Sequence, residues 1–310
     1  MSDFDFTKPQ PPQPPADFDF TKPPAPEAPP SSAPFKAAQS RFYDAAIAEK
    51  LFRAAGKPER FAMGQALFTE EAKARGGLFR SAPRMYFLAE GQVALTVAGR
   101  PLDTVKPGEV FGEMAVVSER PRSATATAKT DCAVISIDRA QLQEAFGRSP
   151  EFALMLMSVM FDRLRFLSAR LATRKIAPKA VRETAIFDAA MIAQLEQALP
   201  RAATVRHWAN TVIMREGQSG AFMYVVKSGR VWISVGGLPV EVVIAGGTFG
   251  EMAVVDQSPR TASATAETEC ELLQLDRPSL LAVIQRQPAF AMAMLRAVTD
   301  RLRYMNEQLN

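Results

Sequence analysis

Apolar residues along this chain change their spacing in a fixed order, and the order occurs twice. Runs such as Met85-Tyr86-Phe87-Leu88, Val93 to Val97 and Val231 to Val235 are rich in β-branched and aromatic residues and bounded by glycine, which predicts short strands. Short helices are expected before them, at Phe42 to Ala55 and Ala185 to Ala198. After them the apolar positions step by three or four, through Leu154, Met157, Met160, Leu164, Leu167 and Leu171, and again through Met292, Leu295, Val298, Leu302, Met305 and Leu309. Each series is one stripe along a terminal helix. The longest apolar run, Phe152 to Phe161, carries a serine and at about ten residues falls well short of the ~20 that a membrane-spanning helix needs. Asp3 and Asp5 stand where a signal peptide would be basic. A soluble, cytoplasmic chain with no membrane span is expected.

The order recurs because the sequence does. At an offset of 138 residues, Phe111-Gly112-Glu113-Met114-Ala115-Val116-Val117 returns as Phe249-Gly250-Glu251-Met252-Ala253-Val254-Val255, and Pro121-Arg122 returns as Pro259-Arg260. Over residues 111 to 128 and their mates, 13 of 18 positions are identical. The same offset pairs Asp138 with Asp276, Pro150 with Pro288, and Arg163-Leu164-Arg165 with Arg301-Leu302-Arg303. Upstream the register slips by eight, because Leu67-Phe68-Thr69-Glu70 matches Ile213-Met214-Arg215-Glu216 only if the first copy carries an insertion around Ala72 to Phe79. That insertion, with Gly76-Gly77, predicts a lengthened surface loop. Eight or so short strands in about 90 residues, flanked by helices, make a small antiparallel barrel. The fold class expected is mainly β with flanking α, as two tandem barrels: residues 39–172, a linker at 173–182, and residues 183–310.

The remaining residues, 1–38, read as a disordered tail, since 11 of the chain's 23 prolines fall within the first 40 residues. Inside it the heptapeptide Asp-Phe-Asp-Phe-Thr-Lys-Pro occurs at Asp3 to Pro9 and again at Asp17 to Pro23. Aromatic residues are unusual in a solvating tail, so the repeat is a candidate docking motif for an unidentified protein partner. Composition excludes more than it suggests. Two cysteines, Cys132 and Cys270, and one histidine, His207, leave little for a zinc site or a thiol nucleophile. The cysteines are mates in different copies and are expected to be two packed thiols. Net charge is +4, but the Lys and Arg are spread out rather than clustered, which speaks weakly for nucleic acid.

Chemistry concentrates in the duplicated segment. Gly112 permits close backbone approach, and Met114-Ala115-Val116 can open a short helix whose amides converge on one spot, as a backbone does when it binds an anion. Arg122, across the turn, can give phosphate a charge-assisted, bidentate partner. Glu113 would repel a phosphate it faced, so it is expected to face away and accept from a hydroxyl. The ligand therefore carries a sugar beside its phosphate.

Phe111-Gly112-Glu113-Met114-Ala115 with Pro121-Arg122-Ser123-Ala124, and Phe249-Gly250-Glu251-Met252-Ala253 with Pro259-Arg260-Thr261-Ala262, resemble the phosphate-binding cassette of the cyclic nucleotide-binding domains. That family is shared by bacterial catabolite activators, regulatory subunits of cyclic-AMP-dependent protein kinase, cyclic-GMP-dependent kinases and gated channels. The resemblance covers residues 41 to 310 and implies double-stranded β-helix (jelly-roll) barrels. It implies that Glu113 and Glu251 hold a ribose 2′-hydroxyl, that Arg122 and Arg260 hold a cyclic phosphate, and that no cofactor is needed. The ligand implied is cyclic AMP or cyclic GMP; Ser123 and Thr261 offer a hydroxyl to the base in either case, and cyclic AMP is the leading expectation. In the family the terminal helix packs as a lid or pairs with another subunit, so a homo-oligomer through these helices is one expectation and packing on its own barrel another. A DNA-reading helix-turn-helix is not expected after Asn310, and nothing matches the inhibitory segment of the kinase regulatory subunits. The leading expectation is a non-enzymatic sensor with two sites that signals to a partner. The alternative is an adaptor that uses the barrels as scaffold and the tail motifs for docking.

Overall fold

The run Met85-Tyr86-Phe87-Leu88 is buried on both of its faces, and this organises the molecule. The computed structural model describes residues 36, 38, 40–70, 82–173, 182–199 and 203–309. Both tail heptapeptides, the insertion around Ala72 to Phe79 and residues 174–181 of the expected linker lie outside the described residues. The first copy runs α1 (Ala45–Ala55), β1 (Lys57–Phe61), β2 (Ala66–Phe68), β3 (Met85–Glu90), β4 (Val93–Val97), β5 (Arg100–Val105), β6 (Val110–Phe111), α2 (Glu113–Ser118), β7 (Thr125–Ala128), β8 (Cys132–Ile137), α3 (Arg139–Arg148) and α4 (Pro150–Thr173). The second runs β9 (Arg182–Thr184), α5 (Ala189–Ala198), β10 (Thr204–His207), β11 (Val212–Met214), β12 (Met223–Ser228), β13 (Val231–Val235), β14 (Leu238–Val243), β15 (Thr248–Phe249), α6 (Glu251–Asp256), β16 (Ser263–Ala266), β17 (Cys270–Leu275), α7 (Arg277–Arg286) and α8 (Pro288–Leu309).

Each barrel is two facing antiparallel sheets, ordered β1-β8-β3-β6 with β2-β7-β4-β5, and β10-β17-β12-β15 with β11-β16-β13-β14. Because strand side chains alternate, Tyr86 and Leu88 fill the first barrel while Met85 and Phe87 face the helices. Their mates Tyr224, Val226, Met223 and Val225 divide the same way. Cys132 and Cys270 are free, buried thiols, one in each barrel interior. The second sheet has an addition that the pattern does not predict: β9 joins its edge parallel to β14, Glu183 opposite Val242.

Both short helices begin later than the apolar pattern suggests, because an aspartate caps each one. Asp44 accepts from the amides of Ala46 at 2.9 Å and Ile47 at 3.1 Å, and Asp188 from that of Met191 at 2.8 Å. The repeated Asp138 and Asp276 cap α3 and α7 likewise.

The terminal stripes meet each other. Leu154, Met157, Met160, Leu164 and Leu167 of α4 are buried, as are Met292, Leu295, Val298 and Leu302 of α8, in one core shared by both copies. Helix α4 packs against α8 and reaches α6, while α8 reaches α2. The buried part of each stripe is thus covered within the chain, by the other copy's terminal helix as well as its own barrel.

Candidate functional site

Phe111 ends β6 and Glu113 begins α2, so the chain must turn from strand to helix across one residue. Gly112 does this at φ 79° and Gly250 at φ 76°, in the left-handed region that side-chain-bearing residues resist. A methyl group at these positions would also lie 2.9 Å from Arg122 Nη1 and 2.5 Å from Arg260 Nη1. The glycines therefore make room for the guanidinium groups, where the sequence alone suggested room for a ligand.

Each guanidinium is fixed by main-chain carbonyls. Arg122 donates from Nη1 to Gly112 O at 3.0 Å and from Nη2 to Arg84 O at 2.7 Å. Arg260 donates to Gly250 O at 2.7 Å and to Phe222 O, the mate of Arg84, at 2.5 Å. These bonds use two of the five guanidinium N–H groups. Burial pulls both arginines below their ordinary pKa, opposed by Tyr86 and Glu113 in the first copy and by Tyr224 and Glu251 in the second. A positioned, partly desolvated cation is a receptor for an anion. The two differ in their surroundings: Arg122 Cζ lies 4.0 Å from the Phe68 ring centroid, whereas Arg260 is only 6% exposed.

Helices α2 and α6 start beside these cations, and their glycine N-caps supply no side-chain hydrogen bond to the first-turn amides. Glu113 stands 3.8 Å from Arg163 Nη1. Burial pushes the Glu251 carboxyl above the usual carboxylate range, with Arg301 and Arg260 opposing. Phe111 and Phe249 form the cavity wall, stacked on Tyr86 at 5.3 Å and Tyr224 at 5.0 Å. The Thr261 hydroxyl donates to Met252 Sδ at 3.5 Å.

In the first copy Phe111, Gly112, Glu113, Met114, Ala115, Arg122, Ser123 and Ala124 all line one cavity of about 210 Å³. In the second, Phe249, Gly250, Glu251, Met252, Ala253, Arg260, Thr261 and Ala262 line one of about 70 Å³. Residues that the sequence pattern did not single out complete them. Phe68, Arg163, Phe166 and Arg170 join the first cavity, along with Asn306 from α8 of the other copy. Met214, Glu241 and Arg301 join the second. The repeated Arg-Leu-Arg was a signal for Arg163 and Arg301, but spacing alone did not bring it to the cassette.

The profile of the cyclic nucleotide-binding domain matches residues 58–149 and again residues 204–287. The chain is 26% identical over 205 residues to the cAMP-dependent protein kinase regulatory subunit of Schizosaccharomyces pombe, covering 63% of this chain and 45% of that protein. It is 30% identical over 182 residues to that of Emericella nidulans, covering 58% and 40%. The match thus spans less than half the length of these relatives. Among solved structures, the regulatory domain of Toxoplasma gondii PKA with cAMP is 20% identical over 82% of this chain and 88% of that one, at a TM-score of 0.29.

Proposed function

The chain belongs to the cyclic nucleotide-binding domain family, and from that premise we propose that it is a cytoplasmic, non-enzymatic regulatory protein that binds a cyclic mononucleotide at two sites and signals their occupancy to a partner protein. The observation that carries this reading is the doubled cassette, in which a fixed arginine and a glutamate face the same cavity in both copies. Arg122 and Arg260 take the cyclic phosphate, together with the first-turn amides of α2 and α6. Glu113 and Glu251 accept the ribose hydroxyl. Residues 39–172 and 183–310 each carry one site in this reading. Cyclic AMP is the preferred ligand; the S. pombe and E. nidulans relatives are named as cAMP-dependent, which supports that choice.

Calorimetry with cyclic AMP and cyclic GMP, beside melting curves, tests this. Two equivalents of cyclic AMP should bind with no turnover, and at 100 times the dissociation constant the fold should gain about 2.7 kcal/mol per site. No heat and no melting shift with either nucleotide would remove the reading; tighter cyclic GMP at both sites would reverse the base preference.

A further inference from the structure

The two cassettes differ at five of eighteen positions, and three of the five form one run, Ser118-Glu119-Arg120 against Asp256-Gln257-Ser258. This run joins the cassette helix to the phosphate arginine, and the terminal helix of the opposite copy grips it. Arg165 of α4 donates from Nη2 to the Asp256 carboxylate and, at 3.0 Å, to Ser258 Oγ. The Asp256 side chain is 0% exposed, and its Oδ1 also takes the Ser258 amide at 3.1 Å and the Ser258 hydroxyl at 2.5 Å. Pro259 and Arg260 follow at once. At the matching place Arg303 of α8 donates from Nη2 to Pro121 O at 3.0 Å and to Ser118 Oγ at 3.4 Å, directly before Arg122. Arg120 adds an ion pair to Asp300 of α8 at 3.3 Å.

We propose that Arg165 and Arg303 are positioning residues for the phosphate arginines of the opposite copies, so that each nucleotide site is completed by the other copy's terminal helix. The proposal rests on reading the cavities as cyclic nucleotide sites. Its physical basis is that neither loop can move alone. A phosphate that draws Arg260 forward pulls on Asp256 to Ser258 and through them on Arg165, whose helix also carries Arg163, Phe166 and Arg170 in the wall of the first cavity. In return, Arg303 grips the first loop while Arg301, on the same helix, lines the second cavity. The grips are unequal. Arg165 holds its loop through a buried carboxylate, which would be left uncompensated without it, whereas Arg303 holds its loop through the Pro121 carbonyl and the Ser118 hydroxyl.

The test is calorimetry of cyclic AMP and cyclic GMP on the full chain. Arg122→Ala isolates the second site and Arg260→Ala the first. Arg165→Met should weaken the second site by about 5- to 20-fold and leave the first within about twofold; Arg303→Met should weaken the first by a smaller factor, about 2- to 5-fold, and spare the second. Arg165→Lys should recover part of the loss, and Asp256→Asn should reproduce it without a change in volume. This crossed pattern separates positioning from general loosening, which would weaken both sites together or the arginine's own copy first. Uncrossed losses, or none, in a parent that binds nucleotide would overturn the proposal alone. A parent that binds neither nucleotide would remove the proposed function and this inference with it.

Discussion

In front of Arg122 the cavity measures about 210 Å³; in the second copy the space is divided into about 70 Å³ in front of Arg260 and about 160 Å³ beside it, with Glu241, Thr248, Glu251 and Arg301 lining both, although both cassettes run through the same strand, left-handed glycine and six-residue helix. What differs is the cover. At the first site Arg163 stands by Glu113, and Asp103 is held by Lys36 at 2.6 Å. At the second, the matching Arg301 pairs with Glu241, the mate of Asp103, and both residues line the narrowed cavity. Strand β9 lies along β14 and holds the strand that bears Glu241 from its other side. Duplication has kept the glycine, glutamate and arginine of the cassette and let the pairings around them diverge. The two sites should therefore share a chemistry and differ in how readily they open.

The strongest way to break this comparison is at the shared chemistry. A hydrogen bond to a charged group contributes about 1.5 to 3 kcal/mol, so Arg122→Ala should weaken the first site, and Arg260→Ala the second, by about 10- to 200-fold in calorimetric titration. Arg→Lys should restore only part, because a point charge lacks the fork that bonds Gly112 and Arg84, or Gly250 and Phe222, while still facing the phosphate. Near-parental binding at both sites in the double alanine variant would place the phosphate elsewhere and leave the two cavities without a common function.

Access is the next lever. Glu241→Gln removes the charge that holds Arg301 across the second cavity. Arg301 should then settle toward Glu251, as Arg163 stands by Glu113, and the second site should come to resemble the first. Where binding must wait for an opening, releasing the closed state raises the association rate. Stopped-flow mixing with cyclic AMP in the Arg122→Ala background should show about a 3- to 10-fold faster association. An unchanged or slower rate would mean that the ion pair does not set the difference in access.

These contrasts mark what the sequence could and could not carry. That Gly112, Glu113 and Arg122 line one cavity was legible because the turn and the return of the chain to Arg122 are local, ten residues apart. Strands β3 and β4 were legible because burial on one or both faces writes itself into the apolar pattern. The helix starts were displaced by Asp44 and Asp188, since a cap competes with the apolar pattern for where a helix begins. Phe68 was matched to Met214 in the repeat but not assigned to the cavity, because it sits on a three-residue strand beside the insertion, where the repeat loses register. The Arg165 and Arg303 grips and the placement of Asn306 were illegible for a deeper reason. The stripes on α4 and α8 say that each helix buries a face, but only the crossing of the two helices decides which cassette each one reaches.

The smallest expected effect lies at Glu251, where stability and binding oppose each other. Burial holds its carboxyl above the ordinary range, so the folded protein keeps that proton more tightly than the unfolded chain, whose glutamates titrate near about 4.3. The stability from this group is fully present below the unfolded pKa and is lost as pH rises through the folded one, so at neutral pH the ionised side chain costs stability. Glu251→Gln keeps the shape without the charge. It should raise the melting temperature of the ligand-free protein slightly at neutral pH, give no gain near about pH 4, and flatten the pH dependence between the two values. It should also weaken cyclic AMP at the second site by about twofold, because an amide oxygen is a poorer acceptor for the ribose hydroxyl than a carboxylate. Scanning calorimetry at both pH values, with a titration in the Arg122→Ala background, reads both effects. A lower melting temperature at neutral pH would mean that Arg301 and Arg260 already compensate the carboxylate in the ligand-free fold. The second cavity would then be poised to accept ligand, and its small volume would not amount to a barrier.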